Sequence, residues 1–267
     1  MKTVGFIGLG NMGSGMAKNL LSAKYEVIAY DTNEGKTSDL LNLGLKIASS
    51  AAEVAEMCTV VILCLPNPDI SREVIFTQLF TNKAIASIII ETSTLTPEVV
   101  AEFAKHLDEL GKKFLSAPMV GGKNHAAEGR IEFLLEGDQT LFEENKELFE
   151  AMGKARYMGE IPSATLAKLT FNLCRYANVA VAYEAYRILQ TYGANTKAIH
   201  EFMSEQSLDN FGQVWGEDMK DMMTENIPFK PSLVPKKDLT LLGDMAENHG
   251  IDKSLIDAIK DTYLSME

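Results

Sequence analysis

Gly8, Gly10 and Gly13 form a G-x-G-x-x-G run that directly follows the apolar segment Val4-Gly5-Phe6-Ile7, with Leu9, Asn11 and Met12 filling the gaps. Each glycine has its own reason to be there. Gly8 takes a tight turn, Gly10 lets the backbone approach a pyrophosphate, and Gly13 lets the following helix pack close to a sheet. A helix that starts here points its unpaired N–H groups at phosphates. Asp31 ends the next apolar strand, Glu26-Val27-Ile28-Ala29-Tyr30. A carboxylate there accepts hydrogen bonds from two ribose hydroxyls and repels a 2′-phosphate, which favours NAD over NADP. Asp31 reads alternatively as a turn cap, and Lys36 keeps NADP as the second choice.

Three further stretches follow apolar strands: Leu65-Pro66-Asn67-Pro68, Glu91-Thr92-Ser93-Thr94, and Ser116-Ala117-Pro118-Met119-Val120-Gly121-Gly122. Loops at the carboxyl ends of parallel strands line one crevice. Ser93 and Thr94 supply hydroxyls near the reactive end of the cofactor, while Gly121 and Gly122 can offer bare backbone N–H groups to a substrate carboxylate. Thr94, with Pro97 and Glu98 behind it, reads equally as a helix N-cap. Lys168 and Asn172 are one helical turn apart and share a face, with Arg175 a turn further on. Lysine passes a proton in either direction when burial or nearby positive charge lowers its pKa, and an amide can hold a substrate oxygen in line. A helix lysine is also commonly a solvated charge, and only the crevice separates the two readings.

The elements that position these residues follow from periodicity. Val60-Val61-Ile62-Leu63-Cys64-Leu65 and Ile88-Ile89-Ile90 are continuous apolar runs, which suit parallel strands covered on both faces; Lys46-Ile47-Ala48 is a further strand. Lys113-Phe114-Leu115 and Arg130-Ile131-Glu132-Phe133-Leu134-Leu135 extend the sheet. Pro97 opens a helix that Gly111 closes. From Ser163 to Gln190 there is no Gly or Pro, and Leu166, Leu169, Leu173, Ala177, Ala180 and Ile188 recur at helical spacing. Phe211, Trp215, Met219 and Met222 keep that period, as do Leu239, Leu242, Met245 and Ala246, with Pro228, Pro231 and Pro235 as the main break. The fold class is α/β: a doubly wound, Rossmann-type dinucleotide-binding domain over residues 1–161, then an all-helical domain over 162–267 that begins with one long interdomain helix.

Composition excludes several classes. The 267 residues carry 37 acidic against 25 basic side chains, a formal charge of −12, with no cluster of Lys and Arg to hold nucleic acid or acidic lipid. No apolar run approaches the roughly 18 residues of a membrane span. Lys2 leads into the glycine turn and not into an apolar signal core, so a cytoplasmic location is expected. Cys58, Cys64 and Cys174 form no C-x-x-C and read as reduced packing residues. His106, His125, His200 and His249 are scattered, so no metal site is expected. A small helical domain built around one long helix is expected to complete its core with a second copy of the chain.

Taken together the motifs resemble the β-hydroxyacid dehydrogenase family, of the 3-hydroxyisobutyrate dehydrogenase kind. The resemblance rests on four blocks: Gly5 to Gly13 with Met16-Ala17-Lys18-Asn19-Leu20; Glu91-Thr92-Ser93-Thr94 with Pro97; Ala117-Pro118 with Gly121-Gly122, Ala126 and Gly129; and Lys237-Asp238-Leu239. It implies that Lys168 is the catalytic acid/base and Asn172 its helper at the substrate oxygen. It further implies that Ser93, Val120, Gly121 and Gly122 line the substrate, and that Leu65, Pro66, Thr94 and Lys237 contact the cofactor. A homodimer or homotetramer is also implied. The activity would be hydride transfer between NAD(P) and a small 3-hydroxy acid or its semialdehyde. The alternatives are reduction of small aldehydes or keto acids of the glyoxylate or succinic semialdehyde type, reduction of imines, or dinucleotide binding with little turnover. Three departures fall in the substrate half. Val120 stands where the family has Ser, Gly159-Glu160-Ile161-Pro162-Ser163-Ala164 replaces a glycine-rich approach to the lysine, and the usual asparagine pair is reduced to Phe171-Asn172. Lys123, His125 and Arg175 are the residues that could replace the missing hydroxyl.

Overall fold

The structure is a computed structural model that describes residues 2–33, 38–205, 225 and 233–265. The chain divides into two compact units, Met1–Lys168 and Leu169–Glu267.

The first unit is built on a nine-stranded sheet. Strands β1 (Thr3–Ile7), β2 (Glu26–Tyr30), β3 (Lys46–Ile47), β4 (Val60–Leu63), β5 (Ile88–Glu91) and β6 (Lys113–Ser116) are parallel and lie in the order β3-β2-β1-β4-β5-β6. This is the dinucleotide-fold order, with its switch point between β1 and β4. Beyond β6 the sheet turns mixed. The short β7 (Met119–Val120) and the longer β8 (Ile131–Gly137) pair antiparallel, β8 also pairs antiparallel with β6, and β9 (Gly153–Gly159) runs parallel to β8.

Alternate residues of the central strands feed two separate cores, so these strands are apolar throughout. Phe6, Ile62 and Ile90 pack on one face with Met16, Leu20 and Phe133; Ile7, Val61, Leu63 and Ile89 pack on the other with Val100, Phe103 and Leu107. Full burial of a side chain such as Phe103 contributes about 2–3 kcal/mol. Helix α1 (Asn11–Ser22) follows the glycine turn, and α2 (Ser38–Leu41) and α3 (Ala51–Met57) flank β3. Helix α4 (Pro68–Glu73) continues into a π-helical turn, Val74–Gln78, and α5 (Pro97–Glu109), α6 (Lys123–Ala127) and α7 (Gln139–Glu150) complete the unit. Asp138 caps α7 by accepting the Leu141 N–H at 3.0 Å.

Helix α8 (Ser163–Thr191) begins in the first unit and runs on into the second, where α9 (Thr196–Glu205), α10 (Leu233–Asn248) and α11 (Ser254–Leu264) follow it. Leu169, Tyr176, Val179, Ala180 and Tyr186 of α8 form the core of the second unit with Leu239 and Leu242 of α10 and Ile259 and Tyr263 of α11.

Several expectations change. Lys46-Ile47 is an exposed edge strand, not a covered one, with Ile47 49% accessible. The cap of α5 is Thr96, which accepts from Val99 N–H, because Pro97 occupies the first helical position and leaves Thr94 two residues too early. Gly111 does follow the end of that helix, with φ +66°. Leu166 is 38% accessible and stays outside the core that Leu169, Leu173 and Ala180 join, although seven-residue spacing puts it on the same helix face as Leu173. Pro235 does not break the chain: it lies in the first turn of α10, where a missing N–H is tolerated. Pro228, Pro231, Phe211, Trp215, Met219, Met222 and Lys36 lie outside the described residues. Cys58 is buried and Cys64 half-buried, but Cys174 is exposed on α8. Strands β7 and β9 were not expected; β7 has only two residues, and β9 has charged residues where an apolar run would be.

Candidate active site

The glycine turn separates into two packing positions and one open position. A methyl group on Gly8, where φ is +96°, would stand 2.2 Å from the Cys64 carbonyl oxygen, and one on Gly13 would stand 2.0 Å from that of Gly8. Neither can be accommodated without moving backbone. Gly10 is the N-cap of α1, and a methyl group there would meet nothing within 4 Å. The start of α1, with Asn11 and Met12 behind Gly10, is therefore open to a large anion, as a pyrophosphate requires. At the end of β2 the Asp31 carboxylate accepts the Leu9 N–H at 2.6 Å and the Asn33 N–H at 2.8 Å. It is thus tied to the glycine turn while each oxygen keeps a second lone pair for a ribose hydroxyl.

The loops after β4 and β5 are stitched together. Ser93 Oγ accepts the Leu65 N–H at 2.8 Å, the Ser93 N–H donates to Glu91 Oε1 at 2.7 Å, and the Thr92 hydroxyl donates to the Leu63 carbonyl at 2.7 Å. Leu65-Pro66 and Ser93-Thr94 therefore lie together at the carboxyl edge of the sheet, with Ser93 buried and Pro66 exposed.

The loop after β6 is fixed differently. Gly121 has φ +128°, Gly122 caps α6, and the Gly122 N–H donates to His125 Nδ1 at 3.3 Å. One of the two backbone donors expected to meet a carboxylate is thus engaged by an imidazole. Val120 pairs with Glu132 across β7 and β8 and is half-buried. Helix α6 is clamped to α1: Asn19 Nδ2 donates to the Ala126 carbonyl at 2.8 Å, and a methyl group on Gly15 would lie 2.7 Å from the Ala126 carbonyl carbon.

On α8 the side chains of Lys168 and Asn172 are 8% and 3% accessible, so the lysine is not a solvated surface charge. The Asn172 amide donates to Asp238 Oδ2 at 2.7 Å, which fixes which way round the amide stands. The Tyr176 hydroxyl donates to the same oxygen at 3.2 Å. Burial, and then the charge and hydrogen bond of Asp238, push the Tyr176 hydroxyl well above its usual range, so it serves as a neutral donor. Lys237, beside Asp238 on α10, is half-buried, as is Arg175.

Glu136, Asp238, Tyr176, Gly15 and Asn19 were not given roles from sequence. Nothing in the sequence separates Glu136 from Glu132, the other carboxylate of β8, and the tie between Asn172 and Asp238 spans 66 residues, so neither carries a local signal. Among the described residues no group of three or more His, Cys, Asp or Glu side chains could hold a metal ion, and no helix is long and apolar enough to cross a membrane.

A 3-2-1-4-5-6 parallel sheet with an open helix N-terminus after β1 and an acid after β2 defines a dinucleotide-binding protein of the Rossmann class. Residues 3–161 match the model of the NAD binding domain of 6-phosphogluconate dehydrogenase, and the chain belongs to that family. NAD is accordingly its cofactor. Mouse mitochondrial 3-hydroxyisobutyrate dehydrogenase is 33% identical over 218 residues, which are 80% of this chain and 64% of that protein. The chain thus spans less than two thirds of the length of this relative. Mycobacterium tuberculosis 3-hydroxyisobutyrate dehydrogenase with L-serine shares the fold at a TM-score of 0.82 and 23% identity, covering 99% of this chain and 93% of that one. The imine reductase of Myxococcus stipitatus in complex with NADP+ does so at 0.72 and 15%, covering 98% and 93%. The expected cytoplasmic location is corrected: the mouse relative is a mitochondrial protein, and free cysteines do not place this chain in the cytoplasm.

Proposed function

We propose that the chain is an NAD-linked oxidoreductase that moves hydride between the nicotinamide and a small 3-hydroxy acid or the matching semialdehyde. The observation that carries this reading is the burial of Lys168 and Asn172 on one face of α8. A buried lysine amine that shares a helix face with a fixed amide suits proton transfer at a substrate oxygen far better than it suits solubility, accepting the proton as the neutral amine and donating it as the ammonium. When bound, the cofactor takes up or gives the hydride. In oxidation, Lys168 Nζ accepts the hydroxyl proton as the carbon loses hydride and the C–O bond becomes a carbonyl; in reduction the same nitrogen returns the proton to the forming alkoxide. Asn172 orients that oxygen, and Gly121 with Ser93 binds the acid end. On this reading residues 1–161 hold the cofactor, and residues 162–267 serve substrate closure and oligomerisation, with Lys237 assigned to the cofactor on the family resemblance.

A panel of small 3-hydroxy acids, semialdehydes, keto acids and imines, followed by nicotinamide absorbance, tests this. Turnover of a 3-hydroxy acid or its semialdehyde is the expected result. NAD binding with no turnover of any of them supports the second reading, a dinucleotide-binding protein, which Val120 and the His125 bond to Gly122 N–H favour. NAD over NADP is tested with Asp31→Asn, which keeps one oxygen for the Leu9 N–H while removing the charge. The variant should lose most of the preference for NAD; equal affinity of the unsubstituted protein for both cofactors overturns the preference.

A further inference from the structure

The first turn of α8 carries a helix start with no side-chain cap of its own, and its four N–H groups must find partners. The Ser163 N–H donates to the Glu160 carbonyl at 2.9 Å and the Leu166 N–H to the Pro162 carbonyl at 3.0 Å. The two between them go to Glu136, whose Oε2 accepts the Ala164 N–H at 2.6 Å and the Thr165 N–H at 3.1 Å while Oε1 accepts the Thr165 hydroxyl. Glu136 is fully buried, 28 residues upstream of Ala164, in a strand whose other inward residues are apolar. A carboxylate in that position would be costly without partners of this kind. The strand is also shaped for it. The β8–β9 register shifts between Leu135 and Glu136, so that Leu135 faces Tyr157 and Glu136 faces Gly159, and such an irregularity re-aims a side chain.

Lys168 lies one turn after Ala164 on the same helix, and helical side chains lean back toward the N-terminus, over the turn that Glu136 holds. We propose that Glu136 is the positioning residue for Lys168: by bridging the end of β8 to the first turn of α8, it fixes the lysine at the carboxyl edge of the sheet. Glu160, Ile161 and Pro162 join the end of β9 to α8 along the chain, and Glu136 ties the first turn of the helix to β8 as well. The inference rests on the reading of Lys168 as the proton carrier.

The test uses the full chain, with Glu136→Ala and Glu136→Gln compared by backbone hydrogen exchange, by acetylation of the Lys168 amine with limiting acetic anhydride, and by NAD titration. Glu136→Ala should raise exchange at Ala164 and Thr165 by about tenfold or more and acetylate Lys168 several-fold faster, the scale of losing hydrogen bonds to a buried charge. NAD affinity should stay within about twofold. Glu136→Gln, which keeps one acceptor oxygen, should restore most of the protection. On any acid that is turned over, kcat should fall in Glu136→Ala with little change in KM for NAD. Native exchange and native Lys168 acetylation in Glu136→Ala overturn the proposal, and so does exchange raised equally along β8 and β9. If Glu136→Ala does not fold, Thr165→Val removes the hydroxyl contact alone, and unaltered Lys168 acetylation in that variant is the overturning result. Failure of the proton-carrier reading is distinct: Lys168→Ala would then keep its turnover while Glu136→Ala still loosens the lysine.

Discussion

Lys168 and Asn172 stand one turn apart, yet their removal subtracts different things. Lys168→Ala removes the proton carrier and should lower turnover by about 10² or more, with NAD affinity nearly unchanged in a direct titration. Asn172→Ala removes alignment only, so its kcat should fall by less, although it also strips a partner from the buried Asp238 carboxylate. Cys58 answers a separate question. Burial, and secondarily the charge of Glu26, push its thiol from 9.0 up to about 11. A thiol that ionises more readily unfolded than folded contributes stability below about pH 9 that is lost as pH rises toward about 11. Urea midpoints across that interval should therefore fall more for the native chain than for Cys58→Ala. The sequence makes the glycines and Asp31 legible because their reasons are local, three glycines in one turn and an acid at the end of the next strand. Glu136 and Asp238 are invisible to such a reading, since each is defined by partners 28 and 66 residues away.

At the scale of elements, the glycine turn yields a prediction that fold and cofactor can be separated. Gly13→Ala drives a methyl group into the Gly8 carbonyl, so thermal melting should show a loss of several kcal/mol or no folded protein. Gly10→Ala meets open space, so its melting temperature should stay near that of the native chain while NAD affinity falls, because the methyl group occupies the anion's approach. Equal destabilisation by both substitutions would show that Gly10 serves packing as well. The parallel strands and the long helix α8 were readable because apolar runs and helical spacing report burial directly. Caps and edges were harder. Thr94 and Thr96 have the same chemistry, and Pro97 at the first helical position selects the second. Lys46-Ile47 reads as a covered strand until its place at the end of the sheet is known.

For the whole molecule, self-association is the expectation that remains to be measured. Val181 in the second half of α8, Tyr192 just after that helix, and Phe202 on α9 are 59%, 85% and 58% accessible, large apolar surfaces that a second copy of the chain could cover. Sedimentation velocity should report a dimer or tetramer at micromolar concentration, and Tyr192→Glu with Phe202→Glu should shift it toward monomer; a monomer without substitution ends that expectation. The clamp between α1 and α6 reaches furthest for anyone who wishes to re-engineer specificity. Asn19 holds the Ala126 carbonyl, and Gly15 leaves only enough room for the backbone there. A loop transplanted from a relative across residues 119–129 would thus inherit its seat from a helix that the donor did not supply. Successful chimeras should be those that exchange α1 and the loop as one cassette, whereas loop-only grafts should fail first in NAD affinity, far from the residues that were changed.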